Sequence, residues 1–178
     1  KPFVYTITPF TTTRCLEQIR IGVAYHEAPV TIIGTGSGLS YAELGPTHHS
    51  LEDIAIIRSI PNIRVLAPSD KNELKSQLQE CVKYPCPTYI RIGKKGEPEI
   101  FNKDEHKLGI AKANILKEGN DILLLGIGPI ITEGLKAANE LMEDGINVSV
   151  ASLGSVRPLD ENFLKMMLRR NFKTWITL

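Results

Sequence analysis

Two kinds of segment alternate along this chain, and that alternation constrains the fold most. Short apolar runs rich in β-branched residues predict strands, and segments with apolar residues at helical spacing predict helices. The predicted strands are residues 4–8, 29–34, 63–67, 88–92, 121–125, 148–153 and 173–178. The predicted helices are residues 12–26, 50–60, 70–81, 132–143 and 160–170, with Ser50, Asp70 and Asp160 as caps. Such alternation predicts an α/β fold with a mainly parallel sheet and flanking helices.

A change of composition divides the pattern in two. The stretch GKKGEPEIFNKDE, residues 93–105, is rich in Lys, Gly and Glu, as interdomain linkers often are. The strand and helix pattern then restarts at Asp121. We therefore predict a first domain over residues 1–95, a linker over 96–118 and a second domain over 119–178. Because the last predicted strand ends the chain, we expect the second domain to be truncated.

Charge and cysteine content exclude several classes of function. Lys and Arg number 21 against 20 Asp and Glu, a net charge of +1, so we expect no nucleic-acid or membrane partner. The longest apolar run, residues 122–131, is too short to cross a bilayer, and no signal-peptide pattern opens the chain. Cys15, Cys81 and Cys86 match neither a zinc nor a redox spacing. Reduced thiols, a cytoplasmic location and no metal bound by this chain are the expectation.

Two glycine-rich turns have partial likeness to nucleotide-binding motifs. The turn at residues 34–38 follows a predicted strand, but no predicted helix opens directly after it. The turn at residues 126–128 has Ile131 at the third glycine position, and the next strand lacks an acidic residue near Ser152. Both are better explained as tight turns, so we predict no dinucleotide site.

The segment YAELGPTHHS, residues 41–50, holds the densest group of chemically active side chains. It is predicted to lie in a loop after a parallel strand, where open α/β sheets bind ligands. Adjacent histidines on a loop rarely aim at one metal ion. From spacing alone, a structural histidine that donates to a backbone carbonyl is as compatible as a functional one.

The run GPTHHSLEDIAIIRSIPNIRVLAPSD, residues 45–70, resembles the pyrimidine-binding domain of the transketolase family. The flanking segments around Phe10 and over residues 88–91 resemble the same domain. From Asp121, DILLLGIGPIITEGLKAANEL, followed by SVRPLD at residues 155–160, resembles the C-terminal domain of that family. The resemblance implies a thiamine-diphosphate-binding fold that lacks its N-terminal part, followed by the truncated second α/β domain.

The resemblance also implies a function. Family members are enzymes that transfer a two-carbon ketol unit between sugar phosphates, with thiamine diphosphate as carbanion carrier. The cofactor lies between the pyrimidine-binding domain and a diphosphate-binding domain, which also binds Mg²⁺. The expected partners are therefore a sugar-phosphate substrate and an N-terminal diphosphate-binding subunit, in a homodimer or heterotetramer. We expect the chain to be inactive alone.

Four residues match positions with known roles in the family. Phe10 resembles the aromatic residue that stacks on the aminopyrimidine ring, although an ordinary core role also fits it. His48 resembles the histidine that contacts the substrate and moves a proton. Arg91 resembles the arginine that grips the sugar phosphate, and a surface role is its alternative. Arg14 is a second phosphate-binding candidate.

Other positions depart from the family pattern. The catalytic glutamate belongs to a segment upstream of Phe10 that this sequence lacks, since Glu17 follows Phe10 and lies in a predicted helix. Leu44 and Gly36 replace an aspartate and a histidine that contact substrate in many transketolases. Deoxyxylulose-phosphate synthases and 2-oxo-acid dehydrogenase β-chains share the architecture, although the G-P-T-H form of the loop favours transketolase. A non-catalytic assembly module with the same fold is the remaining alternative.

Overall fold

A computed structural model describes residues 1–102 and 106–178, and it contains two sheets with flanking helices. The strands are β1 (Phe3–Ile7), β2 (Thr31–Thr35), β3 (Arg64–Leu66), β4 (Thr88–Ile92), β5 (Asn114–Lys117), β6 (Ile122–Gly126), β7 (Val148–Ser152), β8 (Ser155–Arg157) and β9 (Thr174–Thr177). The helices are α1 (Thr8–Thr11), α2 (Leu16–Gln18), α3 (Asp53–Ser59), α4 (Lys71–Lys83), α5 (Ile131–Glu143) and α6 (Glu161–Leu168). The predicted α/β fold with mainly parallel sheets is confirmed.

The first sheet has the strand order β1-β2-β4-β3-β8. Its first four strands are parallel, so their carboxyl ends meet at one edge, and β8 pairs antiparallel with β3. The central strands are buried by a core that includes Ile32, Ile57, Val65 and Tyr89. Burial on both faces explains the near-continuous apolar sequence of these strands.

The prediction of one continuous helix over residues 12–26 is wrong in part. The structure instead has α1, a 3₁₀ turn at Thr13–Cys15, α2 and a π-helical stretch at Ile19–Tyr25. Threonine hydroxyls explain the irregular start, because Thr11 and Thr12 donate their side-chain protons to the carbonyl oxygen of Thr8, at 2.9 and 2.8 Å. Such local bonds compete with the regular helical ladder.

The three predicted helix caps have different outcomes. Asp70 accepts from the backbone N–H groups of Asn72 and Glu73, both at 2.9 Å, and Asp160 accepts from Phe163 at 3.0 Å, so these caps are confirmed. Ser50 is not a cap: its backbone N–H and carbonyl both bond to Gly38 at 2.9 Å, and the residue before the helix is Glu52, which makes no side-chain cap hydrogen bond. The helix consequently begins at Asp53 rather than at residue 50.

The second sheet has the order β5-β7-β6-β9 and is parallel except for β5. The sequence pattern predicted neither β5 nor β8, since each is short and lacks a β-branched run. Strand β5 lies within the predicted linker, residues 96–118, of which residues 103–105 lie outside the described residues. The division of the chain into domains stays a prediction.

The two sheets are joined through the carboxyl ends of β3 and β7. The backbone N–H of Ala67 donates to the carbonyl oxygen of Gly154 at 2.9 Å, and the hydroxyls of Ser69 and Ser152 are 2.9 Å apart. Gln77 Nε2 also donates to the carbonyl oxygen of Gly154, at 2.8 Å. Within residues 1–102 and 106–178, the structure contains no helix of the length and apolarity that a membrane span requires.

Candidate active site

Buried polar side chains lie at the carboxyl ends of β1 and β2. Thr8, directly after β1, is fully buried, and its Oγ1 donates to the carbonyl oxygen of Thr35 at 2.9 Å. A Cβ built on Gly34 would be 2.8 Å from Tyr89 Oη and 2.9 Å from Thr8 Oγ1. A larger side chain at position 34 would displace these hydroxyls, so their close approach requires glycine.

The loop over residues 36–52 follows β2 and is closed by hydrogen bonds of its own backbone. Gly38 and Ser50 exchange two hydrogen bonds, which bring the ends of the intervening segment together. Gly45 has φ of +71°, a conformation that favours glycine, and its carbonyl oxygen accepts from the backbone N–H of His48 at 3.0 Å. The G-P-T-H segment is therefore a tight turn that fixes the backbone of His48.

His48 lies between two aromatic rings at this edge of the sheet. Its ring centroid is 5.2 Å from that of Phe10, edge to face, and 6.1 Å from that of Tyr41. Its Nδ1 is 2.9 Å from Thr47 Oγ1. Among the described residues, His48 Nε2 makes no hydrogen bond. The ring is thus held by its Nδ1 side, and Nε2 is the nitrogen available to a ligand.

Phe10 and Arg14 complete this group. Phe10, on α1, is half-buried, and the guanidinium carbon of Arg14 is 4.1 Å from its ring centroid. A guanidinium this close to a ring face makes a cation–π contact. The structure therefore brings together Phe10, Arg14 and His48, three of the four site residues predicted from the sequence.

Arg91 lies apart from that group, near the end of β4. Its Nη2 donates to the carbonyl oxygen of Ser50 at 2.9 Å, and its Nε is 3.4 Å from Asp53 Oδ2. The side chain is 20% exposed and lines a groove of about 690 Å³ together with Arg58. Ile127 and Pro129, from the segment after β6, line the same groove. Within the described residues, Arg91 makes no hydrogen bond to His48 and is linked to it through the loop backbone at Ser50.

Two further residues at this edge were not found from the sequence. Tyr89 donates its hydroxyl to Asp53 Oδ2 at 2.6 Å, and the two side chains are 0% and 1% exposed. Burial raises the pKa of Tyr89 well above its ordinary value, and the Asp53 carboxylate raises this pKa further. A tyrosine in a strand buried on both faces needs a polar partner, and that requirement was the signal available in the sequence.

The positions that depart from the family pattern have distinct surroundings. Gly36 has φ of +82°, and a Cβ there would overlap the ring of Tyr41, so the tyrosine occupies the space that a side chain at position 36 would need. Leu44 is 53% exposed. Glu17 pairs with Arg20 at 3.7 Å on the surface. None of these three residues supplies a carboxylate to the ring of Phe10.

Comparisons with known proteins match nearly the whole chain to two domain families. The family described as "Transketolase, pyrimidine binding domain" matches residues 1–97, and "Transketolase, C-terminal domain" matches residues 111–176. An apulose-4-phosphate transketolase subunit of Phocaeicola vulgatus is 34% identical over 160 residues, which are 90% of this chain and 51% of that protein. The "1-deoxy-D-xylulose-5-phosphate synthase" of Dictyoglomus turgidum is 35% identical over 162 residues, 90% of this chain and 26% of that protein.

A solved structure described as "Split gene transketolase, inactive beta4 tetramer" superposes with a TM-score of 0.87 at 29% identity. The superposition covers 99% of this chain and 56% of that one. The chain thus spans about half the length of the transketolase subunits to which it is similar.

Proposed function

The chain belongs to the transketolase family, and we propose that it is part of a thiamine-diphosphate-dependent enzyme that transfers a two-carbon ketol unit between sugar phosphates. One observation carries the proposal: Arg14 and His48 both contact Phe10 at the carboxyl ends of parallel strands. That edge is the usual ligand site of an open α/β sheet. Residues that the family uses in one site are therefore neighbours here.

The face of Phe10 fits the ring end of the cofactor. The guanidinium carbon of Arg14 lies over this ring, 4.1 Å from its centroid, so the ring face is accessible to a flat, nitrogen-rich group. An aminopyrimidine ring has the same shape and stacking requirement. Within the described residues no group of three or more His, Cys, Asp or Glu side chains could hold a metal ion. We propose that the diphosphate and Mg²⁺ are bound by a partner protein.

His48 is the proposed proton-transfer residue. When bound, thiamine diphosphate supplies the carbanion chemistry that breaks the carbon–carbon bond next to the ketose carbonyl. The hydroxyl of Thr47 lies 3.4 Å from the carbonyl oxygen of Leu44, and it has only one proton to donate. If that proton goes to Leu44, His48 Nδ1–H donates to Thr47, and Nε2 is left basic. Nε2 can then take a proton from a substrate hydroxyl.

Two arginines are proposed to bind the sugar phosphate. Arg91 lines the groove beside the loop, and a guanidinium fork matches the oxygens of a phosphate. Arg14 is the second candidate, and its guanidinium lies over the ring of Phe10, which also contacts His48. Phosphate recognition by Arg91 would fix the end of the sugar that does not react.

The assembly and the domain division follow from the same family membership. We propose a pyrimidine-binding domain over residues 1–95, a linker over 96–118 and a C-terminal domain over 119–178. A relative about twice as long as the matched segment is named as one subunit of a transketolase, which supports an N-terminal partner in a dimer or heterotetramer. The cytoplasm is the proposed location, since sugar phosphates are soluble, charged substrates.

Two observations favour the alternatives to a transketolase. Tyr41 fills the space beside Gly36, and Leu44 is exposed, so two family contacts to substrate are absent. A relative that makes a different sugar phosphate, or an assembly module without turnover, would tolerate both changes. The G-P-T-H turn at residues 45–48 still favours the transketolase reaction.

The test uses the full-length protein, purified with its diphosphate-binding partner, thiamine diphosphate and Mg²⁺. We expect transfer of a two-carbon unit from a ketose phosphate to an aldose acceptor, measured by product formation. Condensation of pyruvate with a triose phosphate instead would establish the synthase alternative. No turnover on either substrate pair, together with no tight Mg²⁺-dependent binding of thiamine diphosphate, would contradict the enzyme proposal and favour the assembly module.

A further inference from the structure

We propose that Asp53 is a positioning residue, which orients Arg91 toward the groove and, through Arg91, holds the loop that contains His48. The resemblance to the transketolase family assigned Asp53 no role. Its kinetic consequences depend on the proposed ketol-transfer function, whereas its structural consequences do not.

Asp53 is a buried carboxylate with a small set of partners. It is 1% exposed, at the start of α3, and a charge removed from water needs compensation by paired groups. Tyr89 donates one short hydrogen bond to Oδ2, at 2.6 Å. Arg91 supplies the positive charge, with Nε at 3.4 Å from the same oxygen. Tyr89 thereby fixes the carboxylate, and the carboxylate attracts the guanidinium.

The attraction between Asp53 and Arg91 is one of charge rather than of a formed hydrogen bond. Among the described residues, Asp53 Oδ1 and Arg91 Nε are both buried and both lack a hydrogen-bond partner. The guanidinium is therefore drawn to Asp53 without being locked onto it. An asparagine at position 53 would keep the shape and the acceptor for Tyr89 but lose this attraction.

The guanidinium nitrogens of Arg91 face different partners, some in the loop and one in the groove. Nη2 donates to the carbonyl oxygen of Ser50, and Nε faces Asp53. Nη1 makes no hydrogen bond within the described part of the chain, and the side chain lines the groove with Arg58. Asp53 thus positions Arg91 so that Nη1 is available to an anion, while Nη2 bonds to Ser50 and Nε faces Asp53.

The same contact reaches His48. The carbonyl oxygen of Ser50 accepts from both Arg91 Nη2 and the backbone N–H of Gly38, each at 2.9 Å. Ser50 follows His48 by two residues, so these bonds fix the end of the segment that presents its ring. Loss of Asp53 would free Arg91 to swing toward solvent, and the loop would lose one of its anchors.

The kinetic test compares Asp53→Asn with the wild-type enzyme, reconstituted as above. We expect the KM for a phosphorylated ketose to rise about tenfold, with kcat changed less than about threefold, because a charge-assisted contact to phosphate is displaced. The KM for a phosphate-free ketose should stay the same. Asp144→Asn, the same substitution at an exposed position after α5, is the matched control.

A double-mutant cycle separates positioning from a general loss of structure. If Asp53 acts through Arg91, the KM of Asp53→Asn combined with Arg91→Lys should be no higher than that of Arg91→Lys alone. Additive effects, or an equal rise in KM for both ketoses, would overturn the proposal. An unchanged KM in Asp53→Asn would overturn it too, provided that the wild type is active.

Hydrogen exchange of the same full-length proteins tests the inference without activity. We expect the backbone amides of residues 47–52 to exchange about tenfold faster in Asp53→Asn than in the wild type or in Asp144→Asn. Unchanged exchange there would contradict the proposed link to the loop. An inactive wild type with this exchange pattern would refute the proposed function and retain the positioning role.

Discussion

The two sheets share one pattern of strands and helices, but they differ at their carboxyl edges. The first sheet ends in buried polar groups, among them Thr8, Asp53 and Tyr89, with Arg91 beside them. The second sheet ends in Gly126 and in Ser152, whose buried hydroxyl pairs with that of Ser69 where the two sheets meet, and the segment after β6 contributes Ile127 and Pro129 to the groove that Arg91 lines. The strand pattern that predicts both sheets therefore says nothing about which edge performs chemistry.

The difference predicts which edge contributes more to activity. A buried charge is unfavourable unless it is paired, and even a paired one is often neutral for stability, so we expect Asp53 and Arg91 to serve activity more than stability. Substitutions at the first edge should change activity more than stability, and substitutions in the second core should do the reverse. Single substitutions in each region test that contrast.

His48→Ala should give the largest effect. Removal of a proton-transfer group lowers kcat by roughly 100-fold or more, and the half-exposed ring contributes little to folding. The measurement is kcat for ketol transfer, together with the denaturation midpoint. His26→Ala, at an exposed position beside Tyr25, is the control. A loss below tenfold would contradict the role of His48.

Leu123→Ala should show the opposite pattern in the second core. Leu123 is 0% exposed on β6, and truncation of a buried leucine costs about 3 kcal/mol of unfolding free energy. Denaturant unfolding measures this loss, and we expect kcat to be unchanged at a temperature where the variant is folded. A large fall in kcat would show that the two regions are coupled more strongly than the comparison implies.

Glu73→Gln tests the boundary between the two regions. Glu73, on α4, is fully buried; its Oε2 accepts from the backbone N–H of Ser69 at 2.7 Å, and its carboxyl group faces Gly154. Burial raises its pKa from 4.5 to about 7. Between these pH values the folded protein keeps a proton that the unfolded chain releases, so this group's contribution to stability is complete below pH 4.5 and is lost as pH rises through 7.

Glutamine removes that titration. The unfolding free energy of Glu73→Gln should therefore rise relative to wild type by about 3 kcal/mol between pH 4.5 and pH 8, as expected for a shift from 4.5 to about 7. Paired denaturant titrations at both pH values measure the gap. For Glu140→Gln, at an exposed position on α5, the difference in unfolding free energy from the wild type should be the same at both pH values. A gap that does not depend on pH would contradict the raised pKa.

The sequence predicted the fold better than the site, for physical reasons. Periodicity reports burial, so most helices and strands were predicted to within a few residues, and Asp70 and Asp160 were recognised as caps. The threonine bonds to Thr8 are local but do not show in the apolar spacing, whereas the pairing of Gly38 with Ser50 joins distant residues and no local pattern reports it. Asp53 was missed for the same reason, since a carboxylate at the start of a helix is usually exposed.

Phe10→Leu should have a moderate effect on cofactor affinity. Leucine keeps the apolar volume but removes the flat face, and one aromatic stacking contact corresponds to about a tenfold change in Kd. Phe172→Leu is a close control, because the ring of Phe172 also lies under a guanidinium, that of Arg170 at 5.0 Å, but in the second region. Titration of the reconstituted complex with thiamine diphosphate measures both. An equal loss of thiamine diphosphate affinity in both variants would mean that the aminopyrimidine ring does not bind at Phe10.

Lys165→Gln should give the smallest effect. Lys165 and Glu161 are 3.2 Å apart on α6, a separation close to that of Arg91 and Asp53, but both side chains are about two-thirds exposed or more. Water screens such a pair, so its loss should cost about 0.3 kcal/mol and should vanish in high salt. Denaturation at low and high salt checks this expectation. A cost above about 1 kcal/mol would mean that distance, rather than burial, sets the contribution of an ion pair in this protein. The buried pair of Asp53 and Arg91 would then have no physical reason to differ from the exposed pair of Glu161 and Lys165.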